Sequence, residues 1–121
     1  MAKACNDDVL DGMLDIIALS TLMTVCNAQP TTRTEAITTF ALADVVMAGG
    51  DFVIADGDTS GRKVTVGAKS GVAVDTSGTA THVSLTDATR LLYVTTCTSQ
   101  VLTAGNTVDF PAWDVEVADP V

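Results

Sequence analysis

Few side chains in this chain could act as a nucleophile or a base. There is one histidine, His82, and there are three cysteines, Cys5, Cys26 and Cys97. A thiol nucleophile needs a base within hydrogen-bonding reach. If the segments around His82 and Cys97 form a hairpin closed near Asp87, His82 lies opposite a residue about 10 Å from Cys97 at the rise of a strand. The sequence therefore argues against a Cys–His catalytic pair, and a single histidine does not supply the zinc-hydrolase motifs.

One segment matches the opening of a calcium-binding loop. Asp56, Asp58 and Ser60 occupy its first, third and fifth positions, and Gly61 occupies the sixth. The twelfth position holds Gly67 instead of a bidentate glutamate, and strands rather than helices are predicted on both sides. A turn capped by Asp side chains is the favoured interpretation. Asp56, Asp58 and Ser60 remain a weak calcium candidate, and no metal or other cofactor is expected.

The cysteines also bear on covalent assembly. No CxxC motif occurs, so a structural zinc site is not predicted. An odd number of cysteines leaves at least one thiol outside any intrachain bridge. The thiols are either small buried residues or partners in an intersubunit disulfide formed after release from the cell. Cys5 is the first candidate because it precedes the first helix, Cys97 is the second, and Cys26 is the one for which burial is favoured.

The charge balance excludes several classes of partner. Asp and Glu number 15 against 6 Lys and Arg, which gives a net charge of −9. A nucleic-acid binder needs clustered basic residues, and an anionic membrane would repel this chain. No apolar run approaches the ~20 residues of a membrane span. The first residues lack the apolar core of a signal peptide, so synthesis in a cytoplasm without export is expected.

The elements that carry these residues can be read from periodicity. Residues 6–19 predict an amphipathic helix, with Asn6 as N-cap and acidic residues in the first turn. Its apolar arc consists of Val9, Leu10, Met13, Leu14, Ile16 and Ile17. Such an arc packs either on the chain's own sheet or on a neighbouring subunit, and both alternatives stay open.

The rest of the chain predicts short strands at roughly 8–12-residue spacing, the pattern of a sandwich or barrel. These predicted strands span 22–26, 44–47, 52–54, 62–67, 71–74, 79–86, 90–98, 107–110 and 113–117. Residues 31–39 predict a loop or a short helical turn around Glu35. The sequence thus predicts a mainly β fold: a compact antiparallel β-sandwich or barrel-like domain with one N-terminal α-helix. Residues 1–20 form an arm and helix, and residues 21–121 a single β-rich domain.

Two turn features refine this prediction. The tetrapeptide Asp-Thr-Ser-Gly occurs at 58–61 and again at 75–78. In each copy the glycine suits the left-handed position of a type I turn with a bulge. Pro111 separates two phases of alternation and predicts a bend. The alternation also predicts a shared core formed by Leu92, Val94, Trp113, Val115 and Val117.

Five stretches carry a resemblance over nearly the whole chain: MTVCNAQPTT, ALADVVMAGGDF, DGDTSGRKVTV, SGTATHVSLTD and LLYVTTCTSQVLTAGNTVDFPAWDVEVADP. In this order they resemble small virion proteins encoded beside the capsid genes of tailed bacteriophages, most distinctively at 92–98 and 104–114. The resemblance implies a structural role, such as a decoration (cement) protein that binds the major capsid protein lattice and stabilises the particle. It implies location in the virion after synthesis in the host cytoplasm, and it implies no catalytic residue.

The partners expected from this resemblance are the major capsid protein or another virion protein, and neither nucleic acid nor membrane. Thr-rich strands with little lysine are compatible with edge pairing, so self-association is also expected. The alternative is a neck, tail or fibre-associated β-domain with a binding role. A carbohydrate site on such a domain needs exposed aromatics, and most of the five aromatic residues alternate into the predicted core. Catalysis is the weakest of the three functional classes.

Overall fold

Antiparallel strands account for most of the computed structural model, which describes residues 6–58 and 60–117. Helix α1 spans Asp7–Ile17, a π-helical turn spans Glu35–Thr39, and a 3₁₀ turn spans Gly49–Asp51. The strands are β1 (Leu22–Cys26), β2 (Ala41–Val46), β3 (Phe52–Asp56), β4 (Arg62–Val66), β5 (Lys69–Ala73), β6 (Gly78–Thr86), β7 (Leu91–Leu102), β8 (Thr107–Phe110) and β9 (Trp113–Val117). The predicted mainly β fold with an N-terminal helix is confirmed.

The strands form three sheets. Their orders are β2-β1-β6-β7, β3-β4-β9 and β5-β8, and every neighbouring pair is antiparallel. The sheets do not close on one another, so the molecule is consistent with a sandwich rather than a barrel. Because the sheets stay open, strands β7 and β9 each keep one edge without a sheet partner.

The core lies between these sheets and helix α1. Met23 of β1, Val64 of β4, Leu85 of β6 and Leu14 of α1 are each 0% exposed. Burying side chains of this size is the main stabilising contribution to such a fold, at roughly 1.5–3 kcal/mol each.

The predicted shared core is only partly correct. Val115 is buried, and Trp113 and Val117 pack against the core while partly exposed. Leu92 and Val94 are half-buried. Both belong to β7, which has a neighbouring strand on one side only.

Helix α1 begins where the sequence predicts. The Asn6 side-chain oxygen accepts a hydrogen bond from the backbone N–H of Asp8 at 2.8 Å, which is the predicted N-cap. The helix ends at Ile17, two residues earlier than predicted. Strand β2 begins at Ala41, earlier than the predicted 44, because Leu42 and Ala43 are already buried.

The two Asp-Thr-Ser-Gly copies differ in structure. Gly61 has a φ of 72°, as predicted for the left-handed position of the turn between β3 and β4. Gly78 has no positive φ, so the prediction for the second copy is wrong. Gly78 begins β6, and a Cβ atom there would lie 2.9 Å from Cδ2 of Leu42. This glycine therefore lies in a closely packed position against β2 rather than in a turn.

No helix among the described residues is long and apolar enough to cross a membrane.

Candidate functional site

Ion pairs engage the carboxylates of the weak calcium candidate. Asp56 Oδ1 lies 2.6 Å from Arg62 Nη1, and Asp58 Oδ1 lies 2.7 Å from Lys63 Nζ. Both cations belong to β4, which pairs with β3 immediately before this loop. Across residues 6–58 and 60–117, no three or more His, Cys, Asp or Glu side chains come together to hold a metal ion. In this structure the Asp56 and Asp58 carboxylates pair with cations of the adjacent strand, and the calcium candidate stays a prediction.

Arg62 also fixes the orientation of helix α1. Its Nε donates to Asp11 Oδ1 at 2.8 Å, and its Nη1 donates to Asp56. These two carboxylates raise the pKa of the Arg62 guanidinium above its ordinary value. Together with buried Leu14, this ion pair packs α1 on the chain's own β4. Packing of α1 on the chain's own sheet therefore accounts for one side of the apolar arc.

The other side of the arc is exposed. Val9, Met13, Ile16 and Leu19, called here the apolar stripe, are exposed by 61%, 57%, 42% and 56%. Their spacing of four, three and three residues places them in one row along the helix and the turn that follows it. Other exposed valines, such as Val46, are single residues, which is normal for a protein surface. Within residues 6–58 and 60–117, the apolar stripe is thus the largest row of exposed apolar side chains, and it runs from α1 into the turn after it.

Cys26 is a buried thiol among hydroxyl groups. It is 0% exposed, and its Sγ lies 3.5 Å from the carbonyl oxygen of Ala36 and 3.6 Å from Thr24 Oγ1. Burial raises the pKa of this thiol, and hydrogen bonds from Thr24 and Ser84 offset part of that shift. A thiol held protonated in this way is a poor nucleophile. The arrangement agrees with the buried alternative for Cys26.

The predicted register of the β6–β7 hairpin is wrong by two residues. His82 pairs with Thr96 instead of Val94, because Thr86 pairs with Leu91 rather than Arg90 and the ladder shifts by one further residue between Leu85 and Thr86. Cys97 therefore follows the residue opposite His82 and is nearer to it than the predicted 10 Å. Within the described residues, His82 Nδ1 bonds to Thr81 Oγ1 at 2.8 Å, and no hydrogen bond joins it to either thiol.

Cys97 lies in a different environment. Its side chain lines two adjoining depressions of the protein surface. It is a half-buried free thiol, and burial raises its pKa, with a smaller contribution from Cys26. An intersubunit disulfide through Cys97 stays a prediction, and Cys5 lies outside the described residues.

The larger of the two depressions by volume is a groove of about 280 Å³ between β7 and β9, called here the β7–β9 groove. Its lining residues are Val83, Thr95, Thr96, Cys97, Phe110, Pro111, Trp113 and Asp114. At its side, the rings of Tyr93 and Trp113 stack with centroids 5.9 Å apart. Pro111 lies between β8 and β9 and lines the groove, so the bend predicted there was the sequence feature that pointed to this region.

No family model, curated protein or solved structure matches this chain. Its candidate sites are therefore the apolar stripe and the β7–β9 groove, both defined by geometry alone.

Proposed function

We propose that this chain is a decoration protein of a tailed-bacteriophage capsid, which binds the lattice of the major capsid protein and stabilises the particle. The observation that carries the proposal is the apolar stripe on α1. The resemblance to small virion proteins supplies the identity of the partner. The alternative, a neck, tail or fibre-associated β-domain, would use the same docking surface at a different place in the particle.

The apolar stripe supports docking because of its size and its position. Four large apolar side chains extend over about 15 Å at the helical rise of 1.5 Å per residue. Burying one such side chain contributes roughly 1.5–3 kcal/mol. A row of this kind on a small protein is typical of a surface that meets a partner. A decoration protein needs such a contact at every lattice position.

The chemistry of the described residues supports binding rather than catalysis. The buried Cys26 thiol is surrounded by hydroxyl groups, and its pKa is raised. The carboxylates of the β3–β4 loop are engaged by Arg62 and Lys63. The net charge of −9 is typical of a protein that stays dispersed before assembly and is repelled by packaged nucleic acid.

A pair of charge substitutions tests the proposal. Met13→Lys with Ile16→Lys places two cations in the apolar stripe, and both side chains are exposed, so the fold should persist. Val46→Lys, at a side chain 73% exposed on β2, is the matched control. The variants are expressed from the native genomic context, and purified particles are analysed by quantitative mass spectrometry. We expect the parent and Val46→Lys in particles at lattice-scale copy number, and the double variant in the unbound fraction.

Circular dichroism of each purified variant provides the folding control. A double variant that is folded and still binds particles at the parent's level would contradict docking through the stripe. A copy number far below that of the lattice would favour the neck, tail or fibre alternative. The complete absence of the chain from particles would refute both functions.

A further inference from the structure

Strand β7 has an unusual free edge. It is twelve residues long, and Leu91–Leu102 contains no charged residue, proline or glycine. Natural sheets protect exposed edges with charges, prolines or short strands, because an open edge pairs with other chains. Every other edge strand carries a charged residue: Asp44 in β2, Asp56 in β3, Lys69 in β5, Asp109 in β8 and Asp114 in β9. Strand β7 is thus the edge strand that carries no charged side chain, and its protection is limited to a bulge in its second half.

The β7–β9 groove lies beside this edge strand. Thr95, Thr96 and Cys97 are consecutive, and all three line the groove. Val83 of the neighbouring strand β6 also lines it, so the groove covers part of the sheet face next to the edge. Next to the groove, Ala80 pairs with Gln100 and His82 with Thr96, which leaves three residues of β7 opposite one of β6. Such a bulge bends the strand and is a common feature beside binding sites.

We propose that the β7–β9 groove binds an extended segment of a partner protein, which adds as a strand to the free edge of β7 and places an apolar side chain against Trp113. The main-chain groups of β7 supply the hydrogen bonds of strand addition, and the groove supplies a side-chain pocket. This inference concerns a surface separate from the apolar stripe and holds whether or not the proposed function is correct.

The lining of the groove defines the central residue of the segment. Val83 and Phe110 are buried and give the groove an apolar floor. Trp113 Nε1 is shielded from solvent and has no hydrogen-bond partner among the described residues. Because a shielded atom lies out of reach of a segment bound in the groove, the indole ring contributes apolar surface there rather than a hydrogen bond.

Charge defines the flanks of the segment. Asp114 lines the groove, and Asp109 lines the adjoining depression, while Lys63 lies 3.7 Å from Asp114 Oδ2. With a net charge of −9, a second copy of this chain would bring more acidic residues to the site. Because Lys63 already pairs with Asp114, the charge argument rests on Asp109 and the net charge, and these favour a segment in which an apolar residue is flanked by Lys or Arg.

The test uses an unbiased library of random octapeptides displayed on yeast and selected against the full chain. Cys97→Phe fills the groove, and Thr96→Lys adds a cation at its exposed rim. Val101→Phe, at a side chain 76% exposed on the same strand, is the matched control. Enriched peptides that lack tryptophan are synthesised and titrated. Trp113, the only tryptophan of the chain, then reports binding through its fluorescence.

We expect enriched peptides with an apolar centre and basic flanks, and a shift of Trp113 emission on binding. Affinity should fall about tenfold or more in Cys97→Phe and in Thr96→Lys and stay unchanged in Val101→Phe. N-methylation of the peptide's central amides should abolish binding, because strand addition depends on main-chain hydrogen bonds.

Any of four results would overturn the inference. The first three are a selection without enrichment, enriched peptides that bind Cys97→Phe as well as the parent, and enrichment of acidic peptides. A dimer seen by light scattering and dissociated by Thr96→Lys would also overturn it, since a second copy would then occupy the edge.

Discussion

Two free thiols illustrate how strongly the environment of a single residue differs within this small protein. Cys26 lies beneath the π-helical turn, where its Sγ approaches the carbonyl oxygen of Ala36. Cys97 lies on the open edge strand and lines the β7–β9 groove. Burial raises the pKa of both thiols. Their accessibility therefore decides which of them reacts.

We expect Cys97 to react with N-ethylmaleimide in the native protein, and Cys26 to react only after unfolding. The reason is that Cys26 is 0% exposed whereas Cys97 is half-buried. A Cys5→Ser background removes the third thiol, and mass spectrometry of digested samples measures labelling at each site over time. Equal native rates at the two sites would contradict this assignment.

At the scale of elements, the turn of the β6–β7 hairpin is held by one aspartate. Asp87 Oδ1 accepts hydrogen bonds from the backbone N–H groups of Thr89 and Arg90 at 2.9 and 2.6 Å. The Arg90 side chain donates to Asp87 Oδ2 at 2.8 Å. Chiefly through the Thr89 N–H, and with help from Arg90, these contacts lower the pKa of Asp87 to about 2. The charged carboxylate is the form that closes the turn.

This turn should make stability depend on pH in a defined window. An aspartate in the unfolded chain has a pKa of about 3.9. The native pKa of Asp87 is lower, so its contribution is fully present above about pH 4 and is lost as the pH falls towards 2. Urea unfolding between pH 5 and pH 2 should show a smaller loss in Asp87→Asn than in the parent. Titration of the Asp87 carboxyl by NMR to an ordinary pKa would contradict the assignment.

At the scale of the whole molecule, acidic side chains outnumber basic ones, 15 to 6. Among the described residues every Lys and Arg has a partner: Arg33 donates to the carbonyl of Asp87, and Arg62, Lys63, Lys69 and Arg90 form ion pairs. Exposed ion pairs contribute little, typically about 0–1 kcal/mol each. The unpaired acidic groups then repel one another across the folded surface.

We therefore expect salt to stabilise the protein. Raising NaCl from about 10 mM to about 300 mM shortens the screening length and should weaken the net repulsion more than the few ion pairs. The melting temperature should rise, as measured by circular dichroism at neutral pH. The same rise with KCl would show that screening, rather than a specific ion, is responsible. A melting temperature that falls with salt would mean that the ion pairs outweigh the repulsion.

Local features of the sequence determined much of the fold. The Asn6 cap, the acidic first turn and the apolar period predicted helix α1 nearly to its end. Alternation and turn residues located the strands, because these signals act between neighbours in the chain. The turn at Gly61 is also a local feature, since its prediction depends only on the backbone conformation of the residues in the turn.

Tertiary structure decided the features that depend on distant residues. The turn pairing of Thr86 with Leu91 and one bulge in the β6–β7 ladder each moved the partner of His82 by one residue, and Gly78 packs against Leu42 on another strand. Periodicity marked the whole arc of α1 as apolar, but only packing against β4 separates buried Leu14 from exposed Met13. The β7–β9 groove likewise joins strands from opposite sheets. The position of the groove depends on how the sheet of β7 packs beside the sheet of β9. That packing joins residues that are far apart in the sequence, so no local sequence pattern predicts it.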